Sequence, residues 1–300
     1  MSAEKWPGEC PMAQVAGKLE PELVAKRDKL LDILRGYAKV AVAFSGGIDS
    51  TVVAKSAFLA LSGQAIAVTA DSASVPRAEI EDAKRLAGLI GIAHRIVKTD
   101  EFTDPNYLRN DGSRCYYCKS ELYSQIESIL PELGDPIICS GANLDDEGDY
   151  RPGLTAAREH AVRHPLQEAD LTKAEVRELA RAWDLPTWDK PASPCLSSRL
   201  APGVSVTTER TGRIEAAELY LKSLGIRECR VRLHQDELAR IEVPLEGLAL
   251  LAAPGQREAL AARFRELGFR FVTLDLEGFR SGNLNELVTL EQKRLFTKGA

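Results

Sequence analysis

The amino-acid sequence predicts an α/β protein in which a parallel, doubly wound sheet is followed by a smaller α+β domain. In roughly the first 200 residues, short apolar runs alternate with helical segments, a pattern typical of parallel strands covered by crossover helices on both faces. From about residue 204 the predicted order changes to helix, strand, strand, helix and strand. The length of 300 residues agrees with two domains, because a single hydrophobic core seldom grows beyond this size.

The composition places the chain among ordinary globular proteins. Hydrophobic residues make up 44% and charged residues 28%, which excludes a disordered or collagen-like chain. Thirty-nine basic and 44 acidic side chains give a net charge of −5, which argues against nucleic acid as a partner. No apolar run has the length of a signal peptide or approaches the ~20 residues of a membrane span. We therefore expect a cytoplasmic protein with no membrane partner, whose cysteines stay unpaired in that reducing compartment.

The first predicted domain covers residues 20–203 and follows a flexible tail over residues 1–19. It opens with an amphipathic helix at 20–37, where leucines and isoleucines recur at helical spacing. Apolar runs predict four strands, at 40–44, 65–69, 95–97 and 136–139. Helical patterns predict crossover helices at 51–61, 76–89 and 120–130.

The remainder of the first domain is less regular. An irregular stretch at 141–153 is followed by Thr172 and Glu175, whose spacing is that of a capping box at the start of a helix. Four prolines between residues 186 and 202 then predict a loop that contains Cys195.

The second predicted domain, residues 204–300, is a small α+β unit. It is expected to contain helices at 209–224 and 254–267 and strands at 229–234, 238–243 and 269–276.

A phosphate-binding loop is predicted directly after the first strand. Its residues are Ser45, Gly46, Gly47, Ile48, Asp49, Ser50 and Thr51. The glycines allow backbone N–H groups to approach a phosphate, and the start of the following helix adds a partial positive charge. No lysine follows the glycines, so the loop differs from a Walker loop. The alternative is an ordinary glycine turn capped by a serine or an aspartate.

Two further strand ends are candidate walls of a ligand site. Asp71 and Ser72 follow the second strand, and Gly141 to Asn143 follow the fourth. In open α/β sheets ligands bind at the carboxyl ends of the strands. A simple turn explains either segment equally well.

Three of the six cysteines form a candidate reactive or metal-binding set. Cys115 and Cys118 are three residues apart near the start of a helix, and Cys195 lies in the proline-bounded loop. The three thiols are compatible with three corners of a [4Fe–4S] cluster, or with a redox pair plus a separate nucleophile. They are also compatible with unrelated thiols, or with a zinc site that takes His94 or His164 as a further ligand. Structural roles are expected for the other cysteines, which are Cys10, Cys139 and Cys229.

The first strand of the second domain carries a row of basic side chains. With a period of two, Arg230, Arg232 and His234 face the same way. Such a row suits a substrate phosphate or carboxylate, although a solvated strand face also explains it.

The motifs taken together resemble one family over about residues 20–290. The loop Ser-Gly-Gly-Ile-Asp-Ser at 45–50 is similar to the PP-loop of the ATP pyrophosphatases. The whole pattern resembles the LarE family of ATP-dependent sulfur transferases, which convert the carboxylates of a pyridinium biscarboxylate mononucleotide to thiocarboxylates for the nickel-pincer nucleotide. The stretches that carry the resemblance are 44–50, 140–146, 151–153, 164–166, 188–199 and 274–283.

The resemblance implies roles for the phosphate loop and for the strand ends. ATP and Mg²⁺ would be the cofactors of the loop, with Ser72 toward the adenosine and Gly141 in a second wall of the cofactor site. The loop residues expected to hold the pyrophosphate and magnesium are Ser45, Gly46, Gly47, Asp49 and Ser50.

The resemblance also implies how sulfur is supplied. Cys195 matches the sulfur-bearing cysteine that single-cysteine members consume once. Cys115 and Cys118 are additional here, which resembles a subgroup that holds a [4Fe–4S] cluster with an open iron site on three cysteines.

Further roles follow from the resemblance for the second domain and for partners. Glu218 is expected to be catalytic, and Arg199, Arg230 and Arg232 to bind a substrate phosphate or carboxylate. Expected partners are the small-molecule mononucleotide, further copies of the chain as a homo-oligomer, a sulfur donor and a downstream nickel-insertion protein. The alternatives are a cluster-dependent tRNA thiolation enzyme, sacrificial transfer from Cys195, or a non-catalytic scaffold.

Overall fold

The first domain contains the predicted parallel sheet. The structure, a computed structural model, describes residues 19–146, 152–191 and 193–280. Four parallel strands are arranged in the order β3-β2-β1-β4. They are β1 Val40–Ala43, β2 Ala65–Asp71, β3 Ala93–Lys98 and β4 Ile137–Cys139. The expected α/β fold class is therefore confirmed.

Helices cover both faces of this sheet. They are α1 Pro21–Tyr37, α2 Ile48–Leu61, α3 Arg77–Ile90, α4 Pro105–Leu108, α5 Arg114–Leu133, α6 Pro152–Glu159, α7 Pro165–Glu168 and α8 Lys173–Ala182. Val40 and Val42 of β1 face a core shared with α1, α2, α3 and α8. Ala41 points to the opposite core, which α5 and α6 close. The alternation along one strand therefore builds two cores, as expected for a doubly wound sheet.

The second domain is built on a three-stranded sheet in the order β5-β6-β7. Strands β5 Arg230–His234 and β6 Leu238–Glu242 are antiparallel, and β7 Phe271–Leu274 runs parallel to β6. Three helices accompany the sheet, namely α9 Thr208–Ser223, α10 Leu245–Ala252 and α11 Gln256–Glu266. The sheet and its helices enclose a separate core that includes Ile214, Val231 and Phe264. Among the described residues, no helix is long and apolar enough to cross a membrane.

The two domains meet around the loop that carries Cys195. Leu196 and Leu200 belong to the core of the second domain, as does Tyr107 of α4. Leu200 also forms a parallel bridge with Leu233 of β5. The loop is therefore packed between the first sheet and the second domain.

Most predicted elements appear within a few residues of their expected positions. The predicted helix at 120–130 is longer than expected and begins at Arg114, so Cys115 and Cys118 lie inside its first turns. Four helices were not predicted, namely α4, α6, α7 and α10. The expected tail over residues 1–19 and the sequence beyond residue 280 lie almost entirely outside the described residues.

Candidate active site

The predicted phosphate loop joins β1 to α2, and hydrogen bonds of its own serines stabilise its conformation. The Ser50 hydroxyl accepts a hydrogen bond from the Ser45 N–H at 3.2 Å and donates to the Gly47 carbonyl at 3.1 Å. Gly46 has a φ of +69°, a left-handed conformation that favours glycine. Gly47 is the N-cap of α2 and presents no side chain to the first N–H groups of that helix. The geometry suits an anion at the N-terminus of the helix.

Asp49 connects this loop to two residues that are distant in sequence. Its Oδ1 accepts a hydrogen bond from Asn143 Nδ2 at 3.1 Å, and its Oδ2 forms an ion pair with Lys173 Nζ. Asn143 follows β4, and Lys173 is the first residue of α8. The loop therefore has a carboxylate, an amide and a cation beside its backbone N–H groups.

Gly141 is where the end of β4 approaches the phosphate loop most closely. A Cβ atom at this position would lie 2.8 Å from the Ser50 backbone nitrogen and 3.0 Å from the Asp49 carbonyl carbon. Backbone atoms cannot yield as a flexible side chain does, so the position requires glycine. Gly141 thus supports the shape of the loop, in addition to its predicted place in a wall of the cofactor site.

Ser72 lies at the end of β2 within a small network of hydroxyls. Its Oγ is 2.7 Å from Ser74 Oγ, and Ser74 Oγ in turn donates to Glu101 Oε1 at 3.1 Å. Ser72 also lines a cavity of about 440 Å³ together with Arg77 and Lys98. The phosphate loop is not part of the lining of this cavity, so the cavity extends the site away from the predicted pyrophosphate position.

The structure brings the three predicted cysteines together. Cys115 is exposed on the first turn of α5, while Cys118 and Cys195 are partly buried. Cys118 packs against the core that contains Leu196, the neighbour of Cys195, and Arg114, the neighbour of Cys115, donates to the Ser197 carbonyl. The three cysteines therefore lie in the same region. Residues separated by 77 positions in sequence thus share a site at the carboxyl edge of the first sheet.

Three hydrogen bonds hold the Cys195 loop against the first domain. Arg114, the first residue of α5, donates to the Ser197 carbonyl at 2.6 Å. The Tyr107 hydroxyl lies 2.7 Å from Ser197 Oγ, and the Leu196 N–H donates to the Ser74 carbonyl at 2.7 Å. Since Cys195 precedes these contacts by one or two residues, its position relative to α5 and β2 is fixed.

Cations and burial set the electrostatics of the thiols. The pKa of the Cys118 thiol is raised, first because burial disfavours a thiolate and then because the Glu101 carboxylate is close. Burial lowers the pKa of Arg114 and of Lys119, but electrostatic interactions with titratable neighbours outweigh it, so the pKa of both cations is raised. The leading neighbours are Cys115 and Cys195 for Arg114, and Tyr123 and Cys118 for Lys119. Two cations therefore lie beside the thiols.

Within the described ranges, no group of three or more histidine, cysteine or acidic side chains is arranged to hold a metal ion. The cluster and the zinc site considered from the sequence therefore both stay predictions.

The other described cysteines lie in the cores. Cys139 belongs to a core of the first domain and Cys229 to that of the second. Burial raises the pKa of the Cys229 thiol to about 12 and also raises that of Cys139, so both thiols stay protonated near neutral pH. Cys10 lies outside the described residues.

The predicted second-domain residues form buried ion pairs. Glu218 is 5% exposed and accepts hydrogen bonds from Arg199 Nε at 3.0 Å and from the Val231 N–H at 3.1 Å. Arg232 pairs with Glu242 at 2.9 Å and also donates to the Ser198 carbonyl at 3.3 Å. Arg199 and Arg232 therefore already have carboxylate partners, and both pairs support the loop that carries Cys195.

Arg230 lies in a more positive environment than the other two arginines. Burial lowers its pKa first, and the positive charges of Arg199 and Arg232 lower it further. It lines a cavity of about 170 Å³ that also contains Lys190, Lys222 and other charged side chains. His234 ends the same strand, and burial lowers the pKa of its imidazole.

Comparison with known proteins decides the family. The chain is 39% identical over 275 residues to the pyridinium-3,5-bisthiocarboxylic acid mononucleotide synthase of Lactiplantibacillus plantarum. The match covers 91% of this chain and 99% of that relative. The chain belongs to the LarE family. It is an enzyme of the PP-loop sulfurtransferase class, as the sequence predicts.

Other relatives agree with membership of the LarE family. An uncharacterised protein of Synechocystis is 44% identical over 267 residues, which cover 89% of this chain and 99% of the relative. Residues 28–106, which hold the phosphate loop, match the NAD synthase family model. A tRNA-specific 2-thiouridylase of Beijerinckia indica is 27% identical over 57% of this chain and 51% of its own length. Similarity to the thiouridylases therefore extends over about half of each protein.

The LarE-family site contains residues that sequence reasoning did not select. Lys173 and Asn143 contact Asp49 but are 124 and 94 residues away from it in sequence. Lys173 lies inside the predicted capping box, where its charge had no apparent partner. Glu101 follows β3, the strand next to β2, and its place at a strand end is the one signal that pointed to it.

Proposed function

We propose that the chain adenylates the carboxylates of pyridinium-3,5-biscarboxylic acid mononucleotide with ATP and converts them to thiocarboxylates for nickel-pincer nucleotide synthesis. The observation that carries the proposal is that the phosphate loop and three thiols lie at the same edge of one sheet. Near-complete coverage of the Lactiplantibacillus synthase supports the choice of substrate. Adenylation gives a carboxylate a leaving group, which the attack of sulfur requires.

In this proposal the phosphate loop binds the β- and γ-phosphates of ATP and a magnesium ion. Backbone N–H groups of Gly46, Gly47 and the start of α2 face the phosphates. Asp49 is the magnesium ligand, because hard carboxylate oxygens suit this ion. Lys173 turns from Asp49 to the phosphates when the metal binds, so that its charge stabilises the departing pyrophosphate.

The anionic groups of the mononucleotide are proposed to bind beside Arg230. This side chain and the neighbouring lysines line the smaller cavity, which lies next to the Cys195 loop. Arg199 and Arg232 contribute through their buried pairs with Glu218 and Glu242, which hold the cavity wall. Lys222→Ala is a matched comparison for Arg230→Ala, because both residues line the same cavity. We expect Arg230→Ala to raise KM for the mononucleotide more.

Cys115, Cys118 and Cys195 are proposed to hold a [4Fe–4S] cluster. The support is that Cys118 packs against the core that contains Leu196, that Arg114 donates to the Ser197 carbonyl, and that Arg114 and Lys119 are cations on the same helix turns. Held by these three cysteines, a cluster would leave one iron without a cysteine ligand and would supply sulfide from it. The exposed face at Cys115 gives a small donor of sulfur access to the site.

The adenylation step is tested by release of pyrophosphate in the presence of ATP and the mononucleotide. We expect wild type to release pyrophosphate only with the mononucleotide, and to form the thiocarboxylate when sulfide is added. Lys173→Ala is expected to slow pyrophosphate release about 100-fold. Lys29→Ala, which removes an exposed cation paired with Asp170, is the control. Activity on tRNA in place of the mononucleotide contradicts the proposed substrate.

The sulfur source is tested by anaerobic reconstitution with iron and sulfide. Wild type is expected to bind about four irons per chain. Alanine at Cys115, Cys118 or Cys195 is expected to lower this number, while Cys229→Ala leaves it unchanged because that thiol is buried elsewhere. A chromophore that persists in Cys195→Ala argues against the three-cysteine site. Loss of the mass of one H₂S from Cys195 after turnover indicates sacrificial transfer.

A further inference from the structure

Thr69 is a buried threonine near the end of β2 whose hydroxyl reaches the residue before the phosphate loop. Only 3% of Thr69 is exposed. Its Oγ1 donates a hydrogen bond to the Phe44 carbonyl at 2.7 Å. The Phe44 N–H donates to the Val68 carbonyl at 2.8 Å, so the backbone that continues β1 is bound to β2 up to this residue. A side chain of β2 therefore holds the last carbonyl before the loop.

The peptide group between Phe44 and Ser45 is held at both of its polar ends. Its carbonyl accepts from Thr69, and its N–H, which belongs to Ser45, donates to Ser50 Oγ at 3.2 Å. Because a peptide group is planar, the direction of its carbonyl also sets the direction of its N–H. Ser50 Oγ in turn donates to the Gly47 carbonyl. Thr69 is thus connected through one peptide plane to the hydroxyl that stabilises the loop.

His94 of β3 donates a hydrogen bond to the same threonine. Its Nε2 lies 2.8 Å from Thr69 Oγ1. Since the single hydrogen of that hydroxyl goes to the Phe44 carbonyl, the hydroxyl accepts from the imidazole and Nε2 carries a hydrogen. In the register of the sheet His94 is opposite Ala67, two residues before Thr69, so both side chains are on the same face. A row of hydrogen bonds therefore crosses the sheet from β3 through β2 to the phosphate loop.

We propose that His94 and Thr69 are positioning residues for the phosphate loop, because His94 orients the Thr69 hydroxyl and Thr69 sets the peptide plane at which the loop starts. This inference rests on the proposed function in one respect, namely that the loop binds ATP. Backbone N–H groups bind a phosphate well only when they point to one place. A loop that is held in this arrangement before ATP arrives loses less conformational freedom on binding.

The test is a double-mutant cycle in which the full chain binds ATP and magnesium, measured by isothermal titration calorimetry. Thr69→Val removes the hydroxyl and is expected to weaken binding about tenfold, because the Phe44 carbonyl loses its partner. Thr69→Ser keeps the hydroxyl and is expected to bind within about twofold of wild type. His94→Leu is expected to weaken binding about threefold alone and not at all in the Thr69→Val background. Additive effects of the two substitutions overturn the proposed action of His94 through Thr69.

Thr273→Val is the matched control for the loss of a threonine hydroxyl. Thr273 of β7 also donates to a carbonyl of the neighbouring strand, that of Ala239 at 2.8 Å, but it lies in the second domain. We expect Thr273→Val to lower the free energy of unfolding without changing ATP affinity. Equal losses of ATP affinity in Thr69→Val and Thr273→Val indicate general loosening and overturn the positioning role.

Long-range ¹H–¹⁵N NMR of the histidine rings keeps the proposal testable if Thr69→Val fails to fold. Burial lowers the pKa of His94 and the charge of Lys84 lowers it further, so the ring is neutral and carries one hydrogen at about pH 7.5. We expect that hydrogen on Nε2, and a hydrogen on Nδ1 alone overturns the inference. The signal of His94 is the one that is missing in His94→Leu.

The same measurements separate this inference from the proposed function. If wild type does not bind ATP, the proposed function fails and this inference fails with it. If wild type binds ATP and both Thr69→Val and His94→Leu bind it as tightly, only this inference is overturned.

Discussion

At the scale of single residues, Gly141 determines how closely the end of β4 approaches the phosphate loop. Because an added Cβ lies 2.8 Å from the Ser50 nitrogen, Gly141→Ala is expected to displace the loop. We predict that this substitution weakens ATP binding at least tenfold, which corresponds to about 1.4 kcal/mol. Isothermal titration calorimetry with ATP and magnesium measures the effect.

A matched glycine provides the control for this prediction. Gly88 is an exposed residue within α3, and a Cβ there meets nothing within 4 Å. Gly88→Ala is expected to leave ATP binding unchanged and to raise stability by about 0.5–1 kcal/mol, since alanine favours a helix. Equal ATP affinities for the two variants contradict the assigned role of Gly141.

Glu218 is a residue whose removal is expected to destabilise the second domain strongly. Its pair with Arg199 has side chains exposed by only 6% and 2%, and Arg199 also donates to the Cys195 carbonyl at 3.0 Å. Glu218→Ala leaves a buried guanidinium without its carboxylate. We predict a loss of about 3–5 kcal/mol in the free energy of unfolding, measured by urea denaturation.

An exposed ion pair is the control that shows whether burial causes the large loss of stability predicted for Glu218→Ala. Glu266 pairs with Arg263 on the surface of α11 at 3.0 Å. Glu266→Ala is expected to cost less than about 1 kcal/mol, because solvent screens exposed pairs. A similarly small effect of Glu218→Ala indicates that the pair is not structural and favours the catalytic role predicted from sequence.

Site residues that follow one another in the sequence could be predicted, whereas site residues that only the fold brings together could not. The phosphate loop could be predicted because its glycines, aspartate and serines follow one another after a strand. Lys173 contacts Asp49 only because α8 begins beside α2, and Glu101 accepts from Ser74 only because β3 adjoins β2. No local pattern encodes such contacts, since they depend on the order of strands in the sheet.

At the scale of elements, strands and long amphipathic helices were predicted well, and short or uniformly apolar helices were not. The strands are apolar runs buried on both faces, which gives a strong signal. Helix α10 has the sequence Leu-Glu-Gly-Leu-Ala-Leu-Leu-Ala, with one acidic residue and no alternation of polar and apolar faces. The sequence therefore shows no helical periodicity here, and packing against α11 accompanies the helix in the structure.

Helix α8 links a local sequence signal to the candidate site. The Thr172 hydroxyl accepts from the Glu175 N–H at 3.3 Å, and Glu175 accepts from the Thr172 N–H at 2.8 Å, which confirms the predicted capping box. The next residue is Lys173, so the cap also positions the cation beside Asp49. We predict that Thr172→Ala lowers the free energy of unfolding by about 1 kcal/mol and also weakens ATP binding.

A second threonine N-cap is the control that separates the loss of stability from the loss of ATP binding. Thr207 is the N-cap of α9 in the second domain and accepts from the Arg210 N–H at 3.1 Å. Thr207→Ala is expected to cost a similar amount of stability with no change in ATP affinity. If both variants weaken ATP binding equally, the effect of Thr172→Ala reflects general loosening and not the position of Lys173.

At the scale of the whole molecule, the candidate site depends on the junction of the two domains. Asn110 donates to the carbonyls of Ala201 and Val204 at 2.9 Å, and Arg232 of β5 donates to the Ser198 carbonyl. These contacts surround the turn that follows Cys195. A displacement of the second domain would therefore also displace the loop that carries Cys195.

Acid is expected to destabilise the whole molecule in two stages. Burial lowers the pKa of His94, His164 and His234 below the usual value of 6.5, so each stays neutral in the folded protein at a pH where the unfolded chain is protonated. The unfolded state then binds more protons, and stability falls as the pH drops below about 6.5. Each histidine contributes at most about 1.4 kcal/mol per pH unit.

Carboxylates dominate the second stage. Burial opposes ionisation of Glu168 and Glu175, but hydrogen bonds from Arg163 and Lys26 outweigh it and lower the pKa of both below the usual 4.5. Their stabilising contribution is present above pH 4.5 and is lost as the pH falls through their lowered values. Urea denaturation between pH 8 and about 3 measures both stages. We predict a nearly constant free energy of unfolding from pH 8 to 7, a decline from about 6.5 and a steeper decline below about 4.5. His164→Gln is expected to flatten only the first decline, and an unchanged slope in that variant contradicts the assignment to buried histidine.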